Sequence, residues 1–477
     1  MNVNLTGADF LGILPIIILS GFGVVLMVLS VFSQRFHRMT IPYLGVVGII
    51  LALISNFFLI GKDYLAFQNM VRVDWLTVAF NFIFLVTAGL SLLLTTSYSE
   101  QEHIEFIEFT PLLLFSTVGM MLMGSAQNLM MIFLGLETMS IALYVMAGFR
   151  RNHRESLEAA LKYFLLGAFA TGFLLYGIAL IYGVVGSTSF TAIAQYLNKN
   201  ALSPDLLFLV GTGLLIVGFG FKVALVPFHM WTPDVYQGSP MPVTAYMAVG
   251  AKAAGFAAIV RFFTLSAAQI AYQWVDVLWI LAVLTMTVGN VLALVQKDIK
   301  RMLAYSSIAH AGYLLVGIVA DNDLTVPAVM FYLVAYLLMN LGAFAIALIV
   351  SGNQERRTRI EYFKGLAETQ PMLALAMAIC MVSLAGFPPT IGFMGKFYLF
   401  SAALYSGYVW LAIIGVINSL ISVYYYIGVV VAMYMHKPVD ERRIEQVVPG
   451  VGLVVLVAVV GIFIFGIFPG SLAGLFG

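Results

Sequence analysis

The chain has 477 residues, 62% of them hydrophobic and 9% charged, with a mean hydropathy of +1.01. That balance excludes a soluble domain with a sizeable polar surface and fits a polytopic membrane protein. The formal net charge of +1 offers no basic excess for binding nucleic acid.

Taken in chain order, the apolar windows predict about fourteen spans, near 10–32, 41–61, 75–97, 110–124, 127–148, 157–185, 204–226, 243–263, 274–295, 302–319, 326–350, 371–395, 409–434 and 449–475. The first is preceded by MNVNLTGADF, which has no basic n-region, so a cleaved signal peptide is not expected. The windows are continuous rather than alternating, which excludes β-barrel strands and predicts an all-α helical bundle. The single cysteine, Cys380, excludes an intrachain disulfide and a thiolate-ligated iron–sulfur cluster.

With these spans, one face receives Arg35, Arg38, Arg150, Arg151, Arg154, Lys297, Lys300, Arg301, Arg356, Arg357, Arg359, Lys364, Lys437, Arg442 and Arg443. The other receives Lys62, Arg72 and Lys199. Lys and Arg mark the cytoplasmic face, so both termini are expected on the outer, periplasmic side. The acidic loop with Glu100, Glu102, Glu105 and Glu108 does not enter that count.

The string LGAFA occurs at Leu166–Ala170 and again at Leu341–Ala345. Each copy follows a span containing Ser-Ile-Ala, at Ser140 and Ser307, and precedes a span interrupted by proline, at Pro227 and at Pro388-Pro389. Three matches in one order predict duplicated halves of about five helices, as in many transporters. Proline lacks a backbone donor and frees the carbonyl four residues earlier, here those of Val223, Leu384 and Ala385. Freed carbonyls survive at membrane depth only inside protein or beside water, and paired broken helices point to an ion path.

The charged residues expected inside spans are Glu137, Lys162, Lys222, Lys252 and Lys396, joined by the titratable His310. Insertion of one such charge costs roughly 2.5–3.5 kcal/mol. Glu137 has two readings: a structural interhelical ion pair, or a carboxylate that sets the proton affinity of a neighbouring lysine. Lys222 and Lys252 lie about midway through adjacent spans, where desolvation would bring a lysine toward neutral pH. Lys162 lies near a cytoplasmic helix end and reads equally as a snorkelling lysine. Lys396 reads as a relay or an interfacial anchor, and His310 as a relay or a packing histidine. His229, just after Pro227, either gates or caps the break. HExxH, Walker A and GxGxxG motifs are absent, as are paired haem histidines, so no metal or cofactor is expected on this chain.

The segments GFGFKVALVPFHMWTPDVYQGSPMPVTAYMAVGAKAAGF, FLGLETMSIALYVMAGFRR, KRMLAYSSIAHAGYLLVG and LAGFPPTIGFMGKFYLF resemble the antiporter-like membrane subunits of bacterial respiratory complex I, the proton-translocating NADH:quinone oxidoreductase. The wording WTPDVYQGSP resembles the N branch of that family rather than the M and L branches, and Met241 departs from its usual threonine. The resemblance implies fourteen helices in two inverted five-helix repeats, with helices seven and twelve discontinuous. On that plan residues 1–109 form three N-terminal spans, 110–263 and 274–434 the repeats, and 435–477 a last span. It further implies pairing of Glu137 with Lys222, a helix-eight lysine at Lys252, an exit lysine at Lys396 and a helix-six lysine at Lys162. NADH, FMN, iron–sulfur clusters and quinone would belong to other subunits. The antiporter-like M subunit and the small K subunit would be the neighbours in an inner membrane. Two other classes remain open: a subunit of a multisubunit cation/proton antiporter, and a structural scaffold that moves no ions.

Overall fold

The computed structural model describes residues 6–32, 40–102, 108–200, 203–352, 355, 357–439 and 448–474. The expectations on Arg35, Arg38, Glu105, Arg356, Arg442 and Arg443 fall outside the described residues. Apolar segments this long, with every backbone group to satisfy, have one solution in lipid, the α-helix. Among the described residues 12 helices are long and apolar enough to cross a membrane, and Phe109–Gly124 and Pro371–Ala385 are shorter apolar helices. Each lies over one of the predicted segments, so the chain is an all-α polytopic bundle.

Burial is uneven, and the unevenness locates the centre. Over an 18-residue apolar stretch of each helix, every residue of Met241–Thr264 and Thr325–Ser351 and 94% of those of Ile299–Ala320 are buried within the protein, against 28% for Leu14–Val31 and 33% for Val409–Met435. The helices bearing Lys252 and His310, with Thr325–Ser351, are therefore the innermost of the bundle, and the outer helices leave apolar faces uncovered by the chain. Small residues set the closest approaches. A Cβ on Gly119 would lie 2.5 Å from the Gly135 carbonyl oxygen, and one on Gly135 would lie 2.7 Å from that of Gly119. Helix Phe109–Gly124 thus touches Leu129–Ala147, the Glu137 helix, backbone to backbone.

Two connections differ from the sequence expectation. After helix Thr40–Phe57 the chain forms turns and a short antiparallel hairpin, Tyr64–Ala66 with Val71–Val73, instead of continuing as span to residue 61. Its tip holds Phe67, Gln68 and Asn69 at positive φ, which no hydropathy window registers. Asp9 pins it: its carboxylate accepts the Thr6 and Phe67 N–H groups, each at 2.7 Å. Those hydrogen bonds, led by that from Thr6, hold the carboxyl below the usual carboxylate range. The second difference is an amphipathic helix, Phe190–Asn200, which buries Phe190, Ile193 and Leu197 between two spans.

The predicted breaks are present. Helix Leu206–Val223 stops and resumes as Trp231–Gly238, and Pro371–Ala385 stops and resumes as Ile391–Tyr405. Gly386 closes the second stop at φ 89°, a left-handed conformation that suits glycine.

The glycine contact gives a direct test. Gly119→Ala is expected to lower the thermal midpoint of the purified protein, since overpacking costs about 1–3 kcal/mol. Gly89→Ala, whose methyl would meet Ile49 at an ordinary 3.6 Å, should leave it unchanged or raise it. A thermal-shift series in one detergent compares the two.

Candidate functional site

Lys222 sits one residue before the end of its half-helix and is 4% exposed. The helix ends at Ala224 in the left-handed conformation, φ 63°, ahead of Pro227. The earlier stop shifts the engaged carbonyls upstream of the expected Val223. Gly220 O accepts Leu225 N at 2.7 Å, and Phe221 O accepts Ala224 N at 3.1 Å and Trp231 Nε1 at 3.0 Å. With the backbone satisfied internally, the Lys222 ammonium turns to side chains: it donates to Ser140 Oγ at 2.9 Å and Tyr163 OH at 3.1 Å. Trp231 stacks on Tyr163 with ring centroids 4.5 Å apart, fixing that hydroxyl.

Glu137 lies one turn from Ser140 on the same helix and within electrostatic reach of Lys222. Among the described residues the two form no direct ion pair, and Glu137 Oε1 is buried without a hydrogen-bond partner. The Ser140 hydroxyl occupies the position at the ammonium that a carboxylate would otherwise take. An unpaired buried carboxylate oxygen is unfavourable, so Glu137, itself half-buried, adds no ion pair to the stability of this site.

Lys252, 2% exposed, follows a π-helical turn, Met247–Ala251, inside an otherwise continuous span. Single π turns frequently accompany functional sites. Its ammonium donates to Ser307 Oγ at 2.5 Å and to the Ser307 carbonyl oxygen, and lies 5.7 Å from the centroid of the Tyr336 ring. The half-helix Trp231–Gly238, which carries Tyr236, packs against helix Ile299–Ala320, which carries Ser307. The Lys222 side chain packs near Gly255, one turn beyond Lys252. Lys222 and Lys252 therefore share a neighbourhood through the Gly255 face, each with its own hydrogen-bond acceptors.

The preceding residue on helix Ile299–Ala320, Ser306, opens a second hydrogen-bonded group. Ser306 and Tyr426 share a hydrogen bond between hydroxyls, Tyr426 OH contacts His310 Nε2 at 3.0 Å, and His310 Nδ1 contacts Tyr332 OH at 2.6 Å. A neutral imidazole donates from one nitrogen and accepts at the other, so His310 can bridge two hydroxyls. It is within electrostatic reach of both Lys252 and Lys396.

Lys396 is 4% exposed. The carbonyls expected to be freed by Pro388-Pro389 are the ones it binds: its ammonium donates to Leu384 O at 3.1 Å and Ala385 O at 2.9 Å. It thereby caps the negative end of half-helix Pro371–Ala385. It also donates to Ser419 Oγ at 2.9 Å and lies 4.9 Å from the Tyr313 ring centroid. The interfacial-anchor reading of Lys396 does not fit this burial.

Other candidates lie apart. Lys162 is 40% exposed and pairs with Glu158 at 2.6 Å and Asp234 at 2.7 Å, and Asp234 also binds Arg301 at 2.8 Å. His229 is half-buried in the first break, where its carbonyl accepts Thr232 N at 2.9 Å. Pro227, Pro388 and Pro389 are exposed. Among the described residues no cluster of His, Cys, Asp or Glu could hold a metal.

Two buried ion pairs escaped the sequence reading. Arg261, 0% exposed, binds Asp74 with two bonds of 2.7 Å and reaches Gly124 O and Thr77 Oγ1. Lys300 binds Glu355 at 2.6 Å. Arg261 lay inside a predicted span and Asp74 directly before another, a signal that pairing of inward charges could have caught. Glu355 lies in a connecting loop, where nothing in sequence marks burial.

Comparison with known proteins follows the same lines. A family model described as NADH:quinone oxidoreductase/Mrp antiporter, TM, matches residues 126–422. A Trichlorobacter lovleyi protein named NADH-quinone oxidoreductase subunit N is 48% identical over 457 residues, 96% of this chain and 94% of that one. A Roseiflexus castenholzii protein named NADH-quinone oxidoreductase subunit N 2 is 43% identical over 433 residues, 89% and 87% of the two chains. Among solved structures, a chain of respiratory complex I from Thermus thermophilus with bound aureothin has 36% identity and a TM-score of 0.83, covering 97% of this chain and 100% of that one. A chain of the Mrp complex from Dietzia sp. DQ12-45-1b has a TM-score of 0.85 at 20% identity, covering 99% and 96%, a likeness of fold alone.

The buried Arg261–Asp74 pair predicts a large asymmetry. Arg261→Met should destabilise the protein by up to about 3–5 kcal/mol, leaving the buried Asp74 carboxylate with only the Thr77 N–H and Arg72 at 3.3 Å, and Arg261→Met with Asp74→Leu should recover most of it. Thermal unfolding of the purified variants measures both.

Proposed function

The chain belongs to the family of transmembrane subunits shared by NADH:quinone oxidoreductase and Mrp antiporters, and from that premise we propose that it moves protons through the membrane as a non-redox subunit of an NADH:quinone oxidoreductase. The observation that carries the reading is the set of buried amines Lys222, Lys252 and Lys396, each held by neutral groups, with Lys222 and Lys396 beside the two helix breaks and the hydrogen-bonded Tyr426–His310 pair within reach of Lys252 and Lys396. Relatives named as subunit N of NADH-quinone oxidoreductase favour this parent complex over a cation/proton antiporter.

In this mechanism each lysine is held by neutral groups, so it can lose its proton without stranding a bound anion. Movement of Glu137 toward Lys222 raises that lysine's proton affinity and loads it; movement away releases the proton toward Lys252 through the hydroxyls. His310 passes it on, and Lys396 delivers it beside the second break. NADH oxidation, flavin and iron–sulfur chemistry and quinone reduction take place in other subunits, which drive this one by conformational or electrostatic coupling. The antiporter-like M subunit and small K subunit are its neighbours in the bacterial plasma membrane, with both termini on the outer side. Fourteen spans, in two inverted five-helix halves over 110–263 and 274–434, complete the reading. The paired breaks and the repeated Ser-Ile-Ala and LGAFA strings support it.

Lys222→Ala and Glu137→Ala in the assembled complex test it, in vesicles given NADH and quinone. NADH-driven proton uptake should fall by about tenfold or more with assembly preserved, as for loss of a proton-transferring group. Lys162→Ala, outside that set, should have a smaller effect. Unchanged uptake in both central variants would favour a structural scaffold.

A further inference from the structure

Glu355 lies outside the set that carries this reading, yet it is 8% exposed and fastens several elements at once. Its Oε1 accepts the Met241 N–H at 2.6 Å, at the first residue of the span that carries Lys252. Its Oε2 accepts the Lys300 ammonium at 2.6 Å, in the first turn of helix Ile299–Ala320, which carries Ser306, Ser307 and His310. Arg150, on the loop after the Glu137 helix, places Nη1 4.0 Å from the same oxygen. Lys300 also donates to Ser239 O at 2.6 Å, just ahead of Met241.

The segment following Glu355 strengthens the attachment. Ile299 N donates to Thr358 O at 2.7 Å, Ile360 N donates to Lys297 O at 2.8 Å, and the Thr358 hydroxyl donates to Asp298. A loop leading to the second broken helix is thus bound to the start of the His310 helix. Through one carboxylate it is also bound to the start of the Lys252 helix.

The contact that matters lies farther in. Lys252 is about 16 Å along its helix from Met241 and Ser307 about 10 Å along its helix from Lys300, at ~1.5 Å per residue. Two stiff helices meeting at Lys252 and Ser307 are held at their ends by the Glu355 carboxylate, between the Met241 N–H and the Lys300 ammonium, and by the Lys300–Ser239 O bond beside it. Without that charge, Lys300 and Arg150 face each other in a buried site and repel. The two helix ends would separate, and the Lys252–Ser307 contact with them.

We propose that Glu355 is a positioning residue for proton transfer at Lys252, its charge clamping the starts of the two helices whose middles bring Lys252 against Ser307. The proposal rests on the proton-transfer reading above. The test uses the assembled complex in vesicles, with Glu355→Gln, Glu355→Asp and Lys252→Ala compared for NADH-driven proton uptake. Glu355→Gln keeps the shape and an acceptor for Met241 N–H but removes the charge. It should lower uptake by at least about threefold, since a misplacement of ~1 Å can cost far more. Glu355→Asp, which keeps the charge, should retain more than half. Wild-type uptake in Glu355→Gln, or equal loss in the Asp and Gln variants, overturns the proposal. Should Glu355→Gln fail to assemble, Glu355→Gln with Lys300→Met supplies a neutral pair. Low uptake from that assembled double variant supports the clamp, and wild-type uptake or failure to assemble overturns it. Wild-type uptake in Lys252→Ala would instead remove Lys252 from the path, a failure of the underlying reading and not of the clamp.

Discussion

An ammonium group at the middle of an apolar bundle must find hydrogen-bond acceptors inside the protein or give up its proton, and the interior of this chain is arranged around that constraint. Lys222 is held by a serine and a tyrosine hydroxyl, Lys252 by the hydroxyl and carbonyl of Ser307, and Lys396 by two helix-end carbonyls and a serine. None of the three touches a carboxylate among the described residues. Arg261 and Lys300, equally buried, each bind one at 2.6–2.7 Å. The contrast separates two uses of buried charge. An ion pair fixes the protonation of both partners, because removing a proton strands the anion. A shell of neutral dipoles leaves the amine able to change its proton.

The fold supplies those shells by interrupting helices where acceptors are needed. At the second break, stopping Pro371–Ala385 leaves the Leu384 and Ala385 carbonyls directed at Lys396, and Gly386 lets the chain turn without a side chain in the way. At the first break the freed backbone is used by Leu225 and Trp231, and Trp231 in turn stacks on the tyrosine that binds Lys222. One break serves its lysine through backbone and the other through an ordered aromatic. Lys252 needs no break, because its span is wholly buried and its neighbour helix offers Ser307.

Much of this was legible in the sequence because it is written locally. Continuous apolar windows fixed the spans, proline placed both breaks, and charge in apolar surroundings picked out Lys222, Lys252 and Lys396. The rule that proline frees the carbonyl four residues back named Leu384 and Ala385, the acceptors Lys396 uses; it missed at Pro227 because the helix had already ended at Ala224. What stayed hidden depends on contacts between distant segments. Asp74 and Arg261 are far apart in the chain, as are Lys300 and Glu355, and only the packed bundle brings them together. The same limit applies to Ser140, which stands at the Lys222 ammonium where the family resemblance implied Glu137. Lys162 could be set apart in sequence by its place near a helix end, and its pairing with Glu158 and Asp234 at 40% exposure fits the snorkelling reading.

The proposed function asks this chain for a path rather than a reaction. The most direct measurement is a high-resolution electron cryo-microscopy map of the assembled complex in lipid. Ordered water density at hydrogen-bond spacing, joining Lys222 to Ser307 and His310 to Lys396, is the predicted result. Dry side-chain packing between those amines, with each opening separately to bulk solvent, would contradict it.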